Sequence, residues 1–260
     1  MGMRLIAAVA CLPIVLLVLP PGPGLAQQSL DAAVAEPPKS PPSARYDSTD
    51  QYEVQRIEGW RVLVNRQLPG RAPSLSSDTL KVLAIQLYQI TRKVPAGPLT
   101  KLRKITIWVE LAEPHHPCMA YHPNAGWLRD HGMNPEKAGC VEIANAKNFL
   151  TWTLDQPWMV LHELAHGYHD RFLGGYDNPE IRAEYNRAMK AKLYDGVPRI
   201  NGKTERAYAA TNPMEYFAEN TEALFGTNDF YPFVRSELKH HDPQMCQLLE
   251  KLWGGLQTKP

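Results

Sequence analysis

The stretch Trp158-Met159-Val160-Leu161-His162-Glu163-Leu164-Ala165-His166 constrains this chain more than any other. His162 and His166 are four apart, so on a helix both imidazoles leave the same face and can share one metal ion. Two neutral imidazoles, a carboxylate and one open position suit zinc. Glu163, beside His162, can reach a water at that ion as general base. Met159, Val160, Leu161, Leu164 and Ala165 make the surroundings apolar, as a buried site requires. With nine histidines and 16 glutamates in 260 residues, chance supplies such a pattern about 0.02 times. The bland alternative is a core helix whose histidines only hydrogen-bond.

Two histidines do not complete a zinc site. The longer pattern HExxHxxGxxH does not continue here, because His169 stands at its glycine position and Phe172 at its last. His169 lies on the same face as His166. Three ligands from one straight helix would strain the geometry, so His169 is expected to hydrogen-bond or face substrate, outside the ligand set. A carboxylate from a later helix fits better, and residues 212–225 supply Glu215, Glu219 and Glu222. Glu215 and Glu219 share a helical face, so one can bind the metal while the other orients a histidine.

The combination of His162-Glu163-Leu164-Ala165-His166, Tyr208 and Glu215-Tyr216-Phe217-Ala218-Glu219 resembles the catalytic domain of the anthrax lethal factor type of zinc metallopeptidase. The likeness covers roughly residues 158–225, about a quarter of the chain. It implies a zincin fold with His162, His166 and Glu215 as ligands to one zinc ion and Glu163 as the base. It also implies Tyr208, seven residues before Glu215, as the hydroxyl that stabilises the oxyanion or helps protonate the leaving amine. Glu219 would then stand behind the ligands. The toxin's own substrates are not implied. The expectation is an exported zinc metallopeptidase acting on a peptide or protein. Two alternatives remain: a zinc hydrolase of a non-peptide amide, and a zinc-binding protein of the same fold without turnover. Intact Glu163 and Tyr208 oppose the second.

Composition narrows the setting. Residues 1–26 combine Arg4, the uncharged run Leu5 to Leu19 and the small-residue end Gly24-Leu25-Ala26, which reads as an export signal cleaved after Ala26. Residues 27–45, with Pro37, Pro38, Pro41 and Pro42, read as a proline-rich linker. The catalytic domain is expected over 46–260. Formal charge is +1 for the whole chain, and Arg4 is the only charge in the leader, so the remainder balances to zero. Nothing here favours nucleic acid as a partner, and no stable membrane insertion is expected after cleavage. A secreted or periplasmic setting would allow Cys118 and Cys140 to close a 23-residue loop as a disulfide, with free thiols as the alternative.

Periodicity gives the frame. Residues 52–65 read as a strand pair turning at Glu58-Gly59. Leu80, Leu83, Leu87 and Ile90 read as a helix capped by Ser77-Asp78. Ile105, Ile107 and Val109 read as a strand with one face in the core, and Ile105 to Leu111 either as an edge that could pair with substrate or as an ordinary core strand. Residues 112–139 read as loop and turns, and 140–144 as a short strand. Helices are expected over 157–172, 178–194, 212–225 and 242–253, the last two opened by Asn212-Pro213 and Asp242-Pro243. The fold class is α+β: a small mixed sheet, an HExxH helix and a mainly helical C-terminal part.

Overall fold

A computed structural model describes residues 46–255. The expected leader and linker lie outside the described residues. The expected hairpin is present: β1 (Tyr52–Ile57) and β2 (Trp60–Asn65) pair in antiparallel register. Glu58 and Gly59 turn it at φ of 49° and 92°, the two-residue geometry whose twist matches that of its strands.

Two helices follow, α1 (Gln67–Arg71) and α2 (Pro73–Lys93). α2 starts four residues before the expected Ser77-Asp78 cap, because Pro73 is already set for a first helical turn. It buries Leu83, Leu87 and Ile90 on one stripe. After α3 (Ala96–Leu102) the chain enters β3 (Ile107–Val109).

β3 departs from expectation. It runs parallel between β2 and the later strand β5 (Cys140–Ile143), and all three of its residues are buried, Trp108 included. A strand hydrogen-bonded on both sides offers substrate no free edge, so 105–111 is not the edge strand. The stretch expected to be loop supplies that edge: β4 (Met119–His122) and α4 (Ala125–Asp130) form within 112–139. β4 pairs antiparallel with β5 (Cys140–Ile143), giving the sheet order β1-β2-β3-β5-β4.

The same register separates the two cysteines. Cys140 faces His122, whereas the Cys118 carbonyl accepts from the Ala144 amide. Four residues of strand keep them about 13 Å apart, beyond disulfide reach. The two are not bridged to each other, and Cys118 packs on the Met159 sulfur.

The remainder is mainly helical: α5 (Ala146–Trp152), α6 (Met159–Phe172), α7 (Pro179–Lys190), a two-residue pair β6 (Val197–Pro198) and β7 (Thr204–Glu205), α8 (Pro213–Phe225), α9 (Arg235–His241) and α10 (Pro243–Leu252). Asn212 and Asp242 accept backbone N–H bonds in the first turns of α8 and α10, as their positions just before proline predict. The architecture is α+β. One apolar core joins α2, α6 and α8 to the inner face of the sheet. Among the described residues, no helix is long and apolar enough to cross a membrane.

Candidate metal centre

α6 lies against the sheet at Gly167. A Cβ there would stand 2.7 Å from Ile105 Cδ1 and 2.9 Å from Tyr121 Cε2, so any side chain larger than glycine would have to push these two aside. This contact seats the preceding turn, with His162, Glu163 and His166, beneath β4. Two hydrogen bonds clip the elements together. The Tyr121 amide donates to Glu163 Oε2 at 2.8 Å, and the Tyr121 hydroxyl donates to Asp170 Oδ2 at 2.6 Å.

α8 crosses α6 and brings in its carboxylates. Asn212 Oδ1 caps α8 by accepting from the amides of Met214 and Glu215, which fixes Glu215 in the first turn. An anion is favoured there by the helix dipole. Glu215 Oε2 lies 3.0 Å from His162 Nε2 and 3.3 Å from His166 Nε2, and those two nitrogens are 3.1 Å apart. Three donor atoms therefore converge on one point. Ligands at about 2.0–2.1 Å from a tetrahedral zinc stand about 3.3 Å from one another. The spacing fits zinc.

The back of the site differs in one respect from expectation. His162 Nδ1 meets Glu222 Oε1 at 2.8 Å, whereas Glu219 Oε1 is 3.7 Å away. Glu222, two turns from Glu215 and so on its face, is the carboxylate that orients His162. That seven-residue spacing was the signal available in the sequence. Glu219 lies beside it and accepts from Asn228 Nδ2 at 3.2 Å.

His169 is not brought into the site's hydrogen bonding. It is fully buried between Tyr176 and Phe217, with ring centroids at 5.2 and 5.0 Å, and neither ring nitrogen has a partner among the described residues. Burial, then the neighbouring His166, pushes its pKa down to about 4. Tyr208 heads a short turn before α8. Its exposed ring stacks 6.4 Å from the His162 imidazole, on the open side of the centre.

Charge shapes the centre further. Burial raises the Glu163 carboxyl above its ordinary range, and the nearby His166 and His162 only partly offset this. Burial also opposes ionisation of Glu215, but the His166 charge and the hydrogen bonds from both histidines outweigh it and hold Glu215 well below the usual range. For His162, burial is outweighed by hydrogen bonds to Glu215 and Glu222, so its pKa stands well above normal. The two carboxyls of the centre are thus pushed in opposite directions, Glu163 up and Glu215 down.

In comparisons with protein-family models, with curated proteins and with solved structures, nothing matches this chain.

Proposed function

We propose that this protein is an exported zinc-dependent metallopeptidase of zincin-like fold. The observation that carries the reading is the convergence of His162 Nε2, His166 Nε2 and Glu215 Oε2 within 3.0–3.3 Å, with Glu163 on the same helix. These three residues would hold one zinc ion, whose chemistry when bound is to polarise a carbonyl and acidify a water.

The chain's own residues supply the rest. Glu163 accepts the proton of the attacking water and passes it to the departing nitrogen. Tyr208, beside His162 and open to solvent, donates to the oxygen that gains charge. Glu222 holds His162 in one tautomer, with the proton on Nδ1 and Nε2 free for metal.

Substrate class follows from β4. The carbonyls of Cys118 and His122 bond toward β5, so by strand alternation the backbone groups of Met119 and Tyr121 face away from the sheet. The Tyr121 amide is taken by Glu163, which leaves the other outward groups for an extended peptide laid beside the strand. An edge strand fastened to the general base favours a peptide over a small amide. A Glu163→Gln variant tests the reading: it is expected to retain zinc and lose peptide hydrolysis by about 10²–10⁴-fold. Full activity in that variant would refute the assigned base.

A further inference from the structure

Glu163, Gly167 and Asp170 fall on one stripe of α6, at spacings of four and then three residues. Tyr121 of β4 lies along that stripe and meets all three. Its amide donates to Glu163 Oε2 at 2.8 Å, and its hydroxyl donates to Asp170 Oδ2 at 2.6 Å. Between these two ends the ring passes over Gly167, where an added Cβ would stand 2.9 Å from Tyr121 Cε2 and 3.2 Å from Cδ2. Seven residues of helix rise about 10 Å, a span that one tyrosine covers from amide to hydroxyl with a hydrogen bond at each end. The strand is therefore registered on the helix at three points by a single residue.

Packing alone does not call for the third point. A phenylalanine would seat its ring on Gly167 equally well. The hydroxyl adds a bond to a carboxylate, the stronger class of hydrogen bond. Burial, then the Asp170 bond and charge, raise that hydroxyl above its ordinary range, so it stays a donor at neutral pH. Arg171, next to Asp170 in the chain, bonds the carbonyls of Gly139 and Lys104 at 2.9 and 3.3 Å instead.

The consequence falls on Glu163. A general base works only within hydrogen-bond reach of the proton it takes. The Tyr121 amide fixes Oε2 and leaves Oε1 outside that bond, where it can accept a proton. The amide holds this position only while β4 keeps its register on α6, and the hydroxyl bond to Asp170 stops the strand from sliding. We propose that Tyr121 and Asp170 are positioning residues for the general base: Asp170 anchors the Tyr121 side chain, and the Tyr121 amide in turn holds Glu163. They act through Glu163 and not on the reacting bond, so the proposal rests on the reading of Glu163 as the base.

Zinc content and peptide turnover of the full chain test this in four variants. Tyr121→Phe and Asp170→Ala are expected to keep one zinc, lower kcat about 10-fold and leave KM within about twofold. Asp170→Asn still offers the hydroxyl an acceptor and should recover most of the lost kcat. Tyr121→Phe combined with Asp170→Ala should lose no more than either alone, because both break the same bond. A Tyr121→Phe chain with the parent's kcat, a loss carried by KM instead, or losses that multiply in the double variant would overturn the proposal.

A second readout needs no turnover. In a chain carrying heavy nitrogen at its tyrosines, the Tyr121 amide resonance is the one that Tyr121→Phe removes. It is expected to lie downfield in the parent, as a donor to a carboxylate, and to move upfield in Asp170→Ala as it does in Glu163→Gln. A Tyr121 amide unmoved in Asp170→Ala would overturn the proposal. One that moves in both variants, in a zinc-loaded chain that hydrolyses no peptide, would support the anchoring and count against the peptidase reading.

Discussion

Two of the polar clusters buried among the described residues lie on opposite sides of the sheet, and they are built on opposite principles. On the outer side, Lys137 Nζ bonds both Glu110 and Glu142, His122 Nε2 meets Glu142 at 2.7 Å, and Tyr52 donates to Glu110 at 2.6 Å. Asn65 completes the set by donating to Glu110 at 2.8 Å. Two carboxylates thus face a lysine and a histidine, and each side chain has its partner. On the inner side, Glu163, Glu215, Glu219, Glu222 and Asp229 gather around two imidazoles and one shared arginine, and His166 Nδ1 and Asn228 Oδ1 are buried without partners among the described residues. Burial of charge alone does not single out a candidate site; an unbalanced, partly unsatisfied cluster does, because its unpaired groups call for an explanation.

The sharpest way to break this contrast is at Lys137. Lys137→Met leaves Glu110 and Glu142 buried together, and should destabilise the protein by about 3–5 kcal/mol in denaturant titration. A loss under 1 kcal/mol would mean that the outer network is not closed as described.

The second test is acid. Burial opposes ionisation of Glu142, but bonds from His122 and the Lys137 charge hold its pKa down at about 2, against 4.5 ordinarily. A depressed carboxyl stabilises the fold above its unfolded pKa, so about 3 kcal/mol present at neutral pH should drain away as pH falls from about 4.5 to about 2. Glu142→Gln should flatten that slope; an unchanged acid profile would contradict it.

On the inner side a smaller effect sharpens the comparison. Glu222→Gln keeps the shape but weakens the hold on His162 Nδ1, and zinc affinity measured by chelator competition should fall about 10–100-fold. The same change at Glu219, farther from His162, should alter zinc affinity less. Equal losses at the two positions would argue against Glu222 as the orienting carboxylate.

Legibility in the sequence follows local signal strength. The helices of the centre were readable because Asn212-Pro213 marks a start and the apolar run around His162 has helical period. The hairpin was readable from Glu58-Gly59 between alternating residues. β4 was not, since its four residues sit among prolines, histidines and asparagines, and only the distant β5 gives it a ladder. Nor can a sequence say which strand is an edge: β3 alternates as a half-exposed strand would, yet Trp108 is covered by Tyr52 and Leu63 on the outer face. Nothing local in the sequence marks Lys137 and Glu110 as a buried pair, because they stand 27 residues apart. The convergence of His162, His166 and Glu215 was legible, whereas the contact of Glu222 rather than Glu219 with His162 Nδ1 required the crossing of α6 and α8.

The central claim is that three side chains from two helices make one zinc site. Metal analysis of the purified chain beside His166→Ala and Glu215→Ala addresses it most directly. About one zinc per chain in the parent, lost in both variants, is the expected result. Zinc retained in full by Glu215→Ala, or absent from the parent after reconstitution, would contradict it.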